Sequence, residues 1–187
     1  MQKKNSTYLI TGGARSGKST FAEKLATSLS KSVLYIATCQ PDDEEMRLRI
    51  LAHSTRRPSI WQTVEEPYNL ASHIETATKD QVILVDCITL WISNLLLANH
   101  DIKNFLNRLE KAIHASPATK IFVSNELGMG IVPDITNVRN FRDIHGACNQ
   151  TLAQISDVCV FVVSGLPLIL KGALPEHMMN TETREST

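Results

Sequence analysis

The sequence lacks an excess of charge of either sign, closely paired cysteines and a long apolar run. Lysine and arginine total 19, and aspartate and glutamate also total 19, so no overall field favours nucleic acid or an anionic membrane. The four cysteines form no C-x-x-C pair, which indicates reduced thiols in an intracellular protein. The N-terminus lacks the apolar segment of a signal peptide, and no run reaches the roughly 18 residues of a membrane span. We therefore expect a cytoplasmic protein without a nucleic acid partner or a stable membrane anchor.

Apolar runs rich in β-branched residues alternate with helical patterns along the chain. The runs predict buried strands at 7–11, 32–38, 81–86, 120–125 and 157–165. The helical patterns lie near 18–30, 42–57, 68–78, 88–98, 102–115 and 137–156. This alternation predicts an α/β fold with an open, mostly parallel, doubly wound sheet and helices on both faces.

The chain length suits one domain. We expect a single domain over 1–172. The stretch at 173–187 is polar and loses periodicity, so we expect a mobile C-terminal tail. In sheets of this class, ligands bind at the carboxyl ends of the strands.

The segment after the first predicted strand fits a phosphate-binding loop. Gly12, Gly17, Lys18 and Ser19 match G-x-x-x-x-G-K-[ST], with a strand before the loop and a helix after it. Backbone N–H groups of the loop cradle phosphate, Lys18 reaches the β- and γ-phosphates, and the Ser19 hydroxyl binds Mg²⁺. The motif therefore predicts a P-loop NTPase fold that binds ATP or GTP with Mg²⁺. The predicted cradle comprises Gly12, Gly13, Ala14, Arg15, Ser16, Gly17, Lys18 and Ser19.

Asp86 ends the third predicted strand, where P-loop proteins carry a Walker B carboxylate. It could hold Mg²⁺ directly or through water. An aspartate there also suits the N-cap of the following helix. Both interpretations remain open at the level of the residues.

The stretch RILAHSTRRP, residues 49–58, places a histidine among arginines. On a helix, Arg49, Arg56 and Arg57 would share a face with His53. Arginines there could bind a triphosphate bidentately, and an imidazole beside them could attack phosphorus. A solvated basic helix face explains the same spacing, so the pattern alone does not decide between the two.

Taken together, the motifs resemble the bifunctional adenosylcobinamide kinase / adenosylcobinamide-phosphate guanylyltransferase family. The resemblance covers about residues 6–172. Besides the P-loop, it rests on H-x-x-x-R-P at 53–58, W-x-T-x-E-E-P at 61–67 and N-E-x-G-x-G-I-V-P at 125–133.

The resemblance implies two reactions in the nucleotide loop assembly of cobalamin biosynthesis. ATP or GTP first phosphorylates adenosylcobinamide. GMP then passes from GTP, through a GMP-histidine intermediate on His53, to adenosylcobinamide phosphate, which gives adenosylcobinamide-GDP. A small-molecule P-loop kinase without guanylyltransferase activity is the alternative, with His53 positioning phosphate. A non-enzymatic P-loop switch has less support, because the distinctive motifs resemble those of transferases.

The resemblance also implies site residues and an assembly. His53 and Lys18 would be catalytic. The implied nucleotide contacts outside the P-loop are Ala37, Thr38, Cys39, Ser54, Thr55, Arg56, Arg57, Glu65, Asp86 and Cys87. Arg139, Arg142 and Asp143 would border the corrinoid or a neighbouring subunit of a homotrimer. The glycine-containing loop at 125–134 faces substrate or merely turns tightly.

Overall fold

A twisted, mostly parallel sheet forms the centre of the computed structural model, which describes residues 5–40 and 57–179. Its strands are β1 (Thr7–Gly12), β2 (Val33–Ala37), β3 (Gln62–Glu65), β4 (Val82–Asp86), β5 (Thr119–Asn125), β6 (Val158–Val163) and β7 (Leu166–Lys171). They lie in the order β3-β2-β4-β5-β1-β6-β7. Every neighbouring pair is parallel except β6 and β7, which are antiparallel. The expectation of an open, mostly parallel sheet is confirmed.

Helices cover both faces of this sheet. They are α1 (Lys18–Leu29), α2 (Leu70–Glu75), α3 (Ile88–Leu97), α4 (Ile102–Ala115), α5 (Thr136–Ile155) and α6 (Glu176–Met179). The helix predicted at 42–57 lies, up to residue 56, outside the described residues. Within the described part of the chain, no helix is both long and apolar enough to cross a membrane.

Each face of the sheet has its own hydrophobic core. Ile83 and Val85 of β4 pack with α2 to α5, whereas Val82 and Leu84 of the same strand pack with α1. Because successive strand residues point to opposite faces, both sets are buried. This two-sided burial explains why the central strands read as continuous apolar runs.

The two edge strands were not predicted, and the structure explains why. Most of β3 is exposed, so it carries no apolar run. The apolar run at 157–165 predicts one strand, but β6 ends at Val163 and the chain turns back into β7. Ser164 and Gly165 have φ values of 52° and 83°, as a two-residue hairpin turn requires.

The segment predicted as a polar tail begins with packed residues. Leu174 is buried in the core on the α1 face, and Met178 of α6 packs against the same cluster. Residues 180–187 of the predicted tail lie outside the described residues.

Candidate functional site

The phosphate-binding loop lies between the carboxyl end of β1 and the start of α1. Gly17 has a φ of 95° at the N-cap of α1. Gly12 has a φ of 155°, and a Cβ atom there would lie 2.4 Å from the Val162 carbonyl oxygen. Both positions therefore require glycine. Unpaired N–H groups of the first turn of α1, with the helix dipole, favour an anion at this end.

The loop is held from two sides by hydrogen bonds. Within it, the Ser16 N–H donates to the Gly13 carbonyl oxygen at 3.2 Å. From the β6–β7 turn, the Gly165 N–H donates to the Ser16 carbonyl oxygen at 2.8 Å. Both hydrogen bonds stabilise the loop conformation that an anion cradle requires.

Lys18 points back into the loop. Its side chain is buried, and Nζ donates to the Gly13 carbonyl oxygen at 3.1 Å. Burial lowers the pKa of Lys18, while the nearby Cys87 and Asp86 oppose that shift. A phosphate on the loop would offer this ammonium group a charged partner in place of a neutral carbonyl.

Ser19 and Asp86 lie together, although they come from distant parts of the sequence. The Ser19 hydroxyl donates to Asp86 Oδ1 at 3.5 Å. Both supply oxygen, which Mg²⁺ prefers, and Mg²⁺ usually completes its coordination with phosphate oxygens and water. Among the described residues, no group of three or more His, Cys, Asp or Glu side chains forms a separate metal site. The pair therefore fits a cation that is bound together with a nucleotide.

Three predicted residues align at the carboxyl ends of β2, β3 and β4. Ala37 is in register with Glu65 on one side and with Asp86 on the other. The Glu65 side chain is exposed, so its carboxylate is open to a ligand. The structure thus brings these three residues beside one another at the edge of the sheet where ligands bind.

Thr38 and Cys87 join the ends of β2 and β4. The Thr38 hydroxyl donates to the Cys87 carbonyl oxygen at 2.7 Å and accepts from the Cys87 N–H at 2.8 Å. Burial raises the pKa of the Cys87 thiol to about 12, so this sulfur stays protonated at neutral pH and is a poor nucleophile. Cys39, which follows Thr38 in the sequence, is half-buried.

Arg57 is the arginine of the H-x-x-x-R-P motif and is connected to Asp86 through Tyr35. Its Cζ atom lies 3.6 Å from the centroid of the Tyr35 ring, and the Tyr35 hydroxyl donates to Asp86 Oδ2 at 2.8 Å. Tyr35 lies outside every motif in the sequence and is not among the predicted site residues. The sequence feature that could have indicated it is a tyrosine in an otherwise apolar strand, because a buried tyrosine hydroxyl usually needs a hydrogen-bond partner.

Four predicted residues lie outside the described part of the chain. They are His53, Ser54, Thr55 and Arg56. Of the H-x-x-x-R-P motif, the structure therefore places Arg57 and Pro58.

A buried polar network supports the end of β5. Nε2 of His145 is hydrogen-bonded to the Thr89 hydroxyl at 3.0 Å and to the Ser124 hydroxyl at 3.2 Å. Ser124 donates to Asn149 Oδ1 at 2.7 Å, and the Asn149 amide donates to the Asn125 carbonyl oxygen at 3.0 Å. Burial lowers the pKa of His145, with Glu126 opposing, so the ring is neutral at pH 7. His145 therefore joins α3, β5 and α5 through hydrogen bonds and packing.

An open cavity of about 310 Å³ lies beside this network. Its lining includes Glu126, Arg142, Asp143, His145 and Gln150. The Glu126 N–H donates to the Gly12 carbonyl oxygen at 2.9 Å, so the cavity wall is bonded directly to the phosphate-binding loop.

Of the three charged residues expected to border a substrate or subunit, two line this cavity. Arg139 instead donates to the carbonyl oxygens of Pro133 and Asp134, at 2.9 and 2.7 Å. It therefore holds the preceding loop against the start of α5.

Among solved structures, the chain resembles the RadB recombinase. The TM-score is 0.51 at 15% sequence identity, with 84% of this chain and 74% of that chain covered. At this identity the likeness concerns the fold alone.

Curated relatives are much closer in sequence. The bifunctional adenosylcobalamin biosynthesis protein CobP of Pseudomonas aeruginosa is 43% identical over 167 residues, which span 88% of this chain and 96% of the relative. The protein CobU of Escherichia coli K12, with the same description, is 41% identical over 179 residues, which span 87% of this chain and 98% of the relative. Residues 8–170 match the profile of the family described as cobinamide kinase / cobinamide phosphate guanyltransferase. The chain therefore belongs to the cobinamide kinase / cobinamide phosphate guanyltransferase family.

Proposed function

We propose that this protein is a bifunctional enzyme of the nucleotide loop assembly in cobalamin biosynthesis. It phosphorylates adenosylcobinamide with ATP or GTP and then transfers GMP from GTP to adenosylcobinamide phosphate. The observation that supports this function is that the H-x-x-x-R-P motif and the P-loop region are connected through side-chain contacts. Arg57 of the H-x-x-x-R-P motif lies against Tyr35, whose hydroxyl binds the Asp86 carboxylate beside the P-loop.

The kinase reaction uses the cradle at the start of α1. The loop N–H groups and Lys18 bind the β- and γ-phosphates. Ser19 and Asp86 would hold Mg²⁺, which would neutralise charge that develops on the transferred group. The hydroxyl oxygen of the acceptor forms a bond to the γ-phosphorus as the bond to the β-phosphate oxygen breaks. The nucleoside diphosphate leaves with the electron pair, and the hydroxyl proton passes to water. Positioning and charge stabilisation supply most of the catalysis in such transfers.

The guanylyl transfer uses His53 as nucleophile. An imidazole nitrogen forms a bond to the α-phosphorus of GTP, and pyrophosphate leaves with its electron pair. The phosphate oxygen of adenosylcobinamide phosphate then displaces the imidazole and takes the GMP group. Arg57, four residues after His53, supplies positive charge near the phosphates during both displacements.

The acceptor arm is proposed to enter the cavity at the end of β5. A volume of about 310 Å³ suits a flexible arm that carries a hydroxyl or a phosphate, while the corrin ring remains outside. Arg142 in the cavity lining would favour the phosphorylated form. Arg142→Ala should therefore raise the KM of adenosylcobinamide phosphate more than that of adenosylcobinamide.

Labelling with GTP that carries ³²P on the α-phosphate tests the transferase reaction. The wild-type protein should gain label that is stable to alkali and labile to acid, as a phosphoramidate requires. His53→Ala should lose the label, while His114→Ala should retain it because His114 is an exposed residue on α4. Equal labelling of His53→Ala and wild type would overturn the assignment.

The same experiment separates the bifunctional enzyme from a simple kinase. A kinase without guanylyltransferase activity would phosphorylate adenosylcobinamide but form no GMP adduct and release no pyrophosphate from GTP. The resting position of His53 is not needed for this distinction, because the adduct itself is measured.

We also propose that the enzyme works as a homotrimer in the cytoplasm. Leu166, Leu168 and Leu170 on the edge strand β7 are each more than half exposed, and an exposed apolar edge strand favours association. Its nucleotide substrates and its free cysteines suit a reducing compartment. Light scattering should give three times the chain mass, and Leu168→Glu should lower it; a monomeric wild type would contradict the trimer.

A further inference from the structure

Tyr35 contacts both Asp86 and Arg57, although it belongs neither to the P-loop nor to the histidine motif. Its side chain is 2% exposed. The hydroxyl donates to Asp86 Oδ2 at 2.8 Å, and the ring lies under the Arg57 guanidinium with 3.6 Å between Cζ and the ring centroid. Trp61 stacks with the same ring at a centroid distance of 6.4 Å. One side chain therefore contacts both the cation-binding carboxylate and the arginine.

The hydroxyl sets the orientation of the Asp86 carboxylate. Tyr35 is in register with Leu84, and Ala37 is in register with Asp86, so the phenol reaches diagonally across the strand pair to the carboxylate. Since Oδ2 accepts from Tyr35, Oδ1 faces Ser19 at 3.5 Å. Without this bond, the carboxylate could rotate about its terminal torsion, which has broad preferences.

The ring fixes the position of the Arg57 guanidinium. A guanidinium carbon 3.6 Å from the centre of an aromatic ring is held there by cation–π attraction. Its Nε atom is buried and has no hydrogen-bond acceptor among the described residues. A buried donor without an acceptor is costly, and a phosphate oxygen is the natural partner for a guanidinium.

We propose that Tyr35 is a positioning residue that fixes both the Asp86 carboxylate and the Arg57 guanidinium toward a Mg²⁺-bound nucleoside triphosphate. The hydroxyl serves cation binding, and the ring serves the phosphate contact of Arg57. This inference rests on the proposed function for its catalytic consequences, but its effect on nucleotide binding does not require an acceptor substrate.

Tyr35→Phe isolates the hydroxyl, because the ring remains for Arg57 and Trp61. Binding of a fluorescent guanosine nucleotide is titrated with Mg²⁺ and, separately, in EDTA. We expect the Mg²⁺ concentration for half-maximal binding to rise about tenfold, which corresponds to the loss of a hydrogen bond to a charged group. Binding in EDTA should not change, and saturating Mg²⁺ should restore kinase kcat.

Tyr8→Phe is the matched control. Tyr8 is also 2% exposed, and its hydroxyl is hydrogen-bonded to Ser6, at the amino end of β1, away from the phosphate-binding loop. This variant should retain the wild-type Mg²⁺ requirement even if it is less stable. If Tyr35→Phe and Tyr8→Phe have the same Mg²⁺ requirement as wild type, the role of the hydroxyl is refuted.

Arg57→Lys and Tyr35→Leu test the ring contact. Arg57→Lys keeps the charge but loses the planar group, so formation of the GMP adduct should slow about tenfold while the Mg²⁺ requirement stays normal. Tyr35→Leu should show both defects, and adding Arg57→Lys to it should cause little further loss. If Tyr35→Leu does not fold, Arg57→Lys alone decides: wild-type adduct formation would refute the role of the ring-held guanidinium.

Failure of this inference differs from failure of the proposed function. A wild-type protein that makes neither phosphorylated adenosylcobinamide nor a GMP adduct would refute the function. The nucleotide-binding comparison of Tyr35→Phe with Tyr8→Phe would still decide whether Tyr35 positions the carboxylate.

Discussion

Replacing His145 with alanine should lower the free energy of unfolding by about 3 kcal/mol. The side chain is 1% exposed and forms hydrogen bonds to the Thr89 and Ser124 hydroxyls. Each bond contributes about 1 kcal/mol, and the space left by the ring adds about another 1 kcal/mol. For a chain of this size, the melting temperature should fall by roughly 6–12 °C.

The pH dependence of this loss provides a second, independent readout. Burial lowers the pKa of His145 below the ordinary histidine value of 6.5, so as pH falls the unfolded chain binds a proton before the folded one does. The wild type therefore loses stability from this group as pH falls below about 6.5. The gap in unfolding free energy between wild type and variant should therefore be smaller at pH 5.5 than at pH 7.5.

Urea unfolding at pH 7.5 and pH 5.5 measures both effects, with His114→Ala as the control. His114 is exposed on α4, and its replacement should change stability by less than about 0.5 kcal/mol. A cost below about 1 kcal/mol for His145→Ala at pH 7.5 would show that the network does not support the fold. A gap that widens at pH 5.5 would show that His145 is charged in the folded protein.

Two further predictions concern the loop and the thiols. Gly12→Ala should destabilise the protein by about 2 kcal/mol or more, because a Cβ atom would lie 2.4 Å from the Val162 carbonyl oxygen at a φ of 155°. Gly13→Ala is the control, because a Cβ atom there would meet nothing within 4 Å. Equal stability of the two variants in urea would contradict the prediction. Burial raises the pKa of Cys87 and Cys148 to about 12, so neither should react with iodoacetamide at pH 8 until the protein unfolds. Mass spectrometry would detect modification, and rapid labelling of either native thiol would be inconsistent with its burial.

The central sheet could be predicted because its strands are buried on both faces and therefore leave continuous apolar runs. The edge strands could not, for two different reasons. In β3, most residues are exposed, so burial leaves no pattern. The apolar, half-exposed positions of β7 follow directly on β6. Ser164 and Gly165 form the turn between the two strands, but they lie inside the apolar run at 157–165 that predicts a single strand.

The site was predictable where one contiguous motif specifies the geometry. Gly12 to Ser19 and the strand-ending Asp86 lie where the motifs place them. The partners of Asp86 and His145 were not predictable, because they depend on the register of β2 on β4 and on the packing of α5 against β5. Contacts between residues so far apart in sequence have no local spacing that could indicate them.

The hydrogen bond from Gly165 to Ser16 has a consequence for the order of folding. It joins the first loop of the chain to a turn near its other end, and β1 itself lies between β5 and β6. Contacts that close such long loops form late and slow the folding of a chain. During synthesis, β1 and its loop must therefore wait for most of the protein to emerge before the phosphate cradle takes shape. Nucleotide binding thus reports completion of the whole domain, and a chain truncated before β6 should not acquire it.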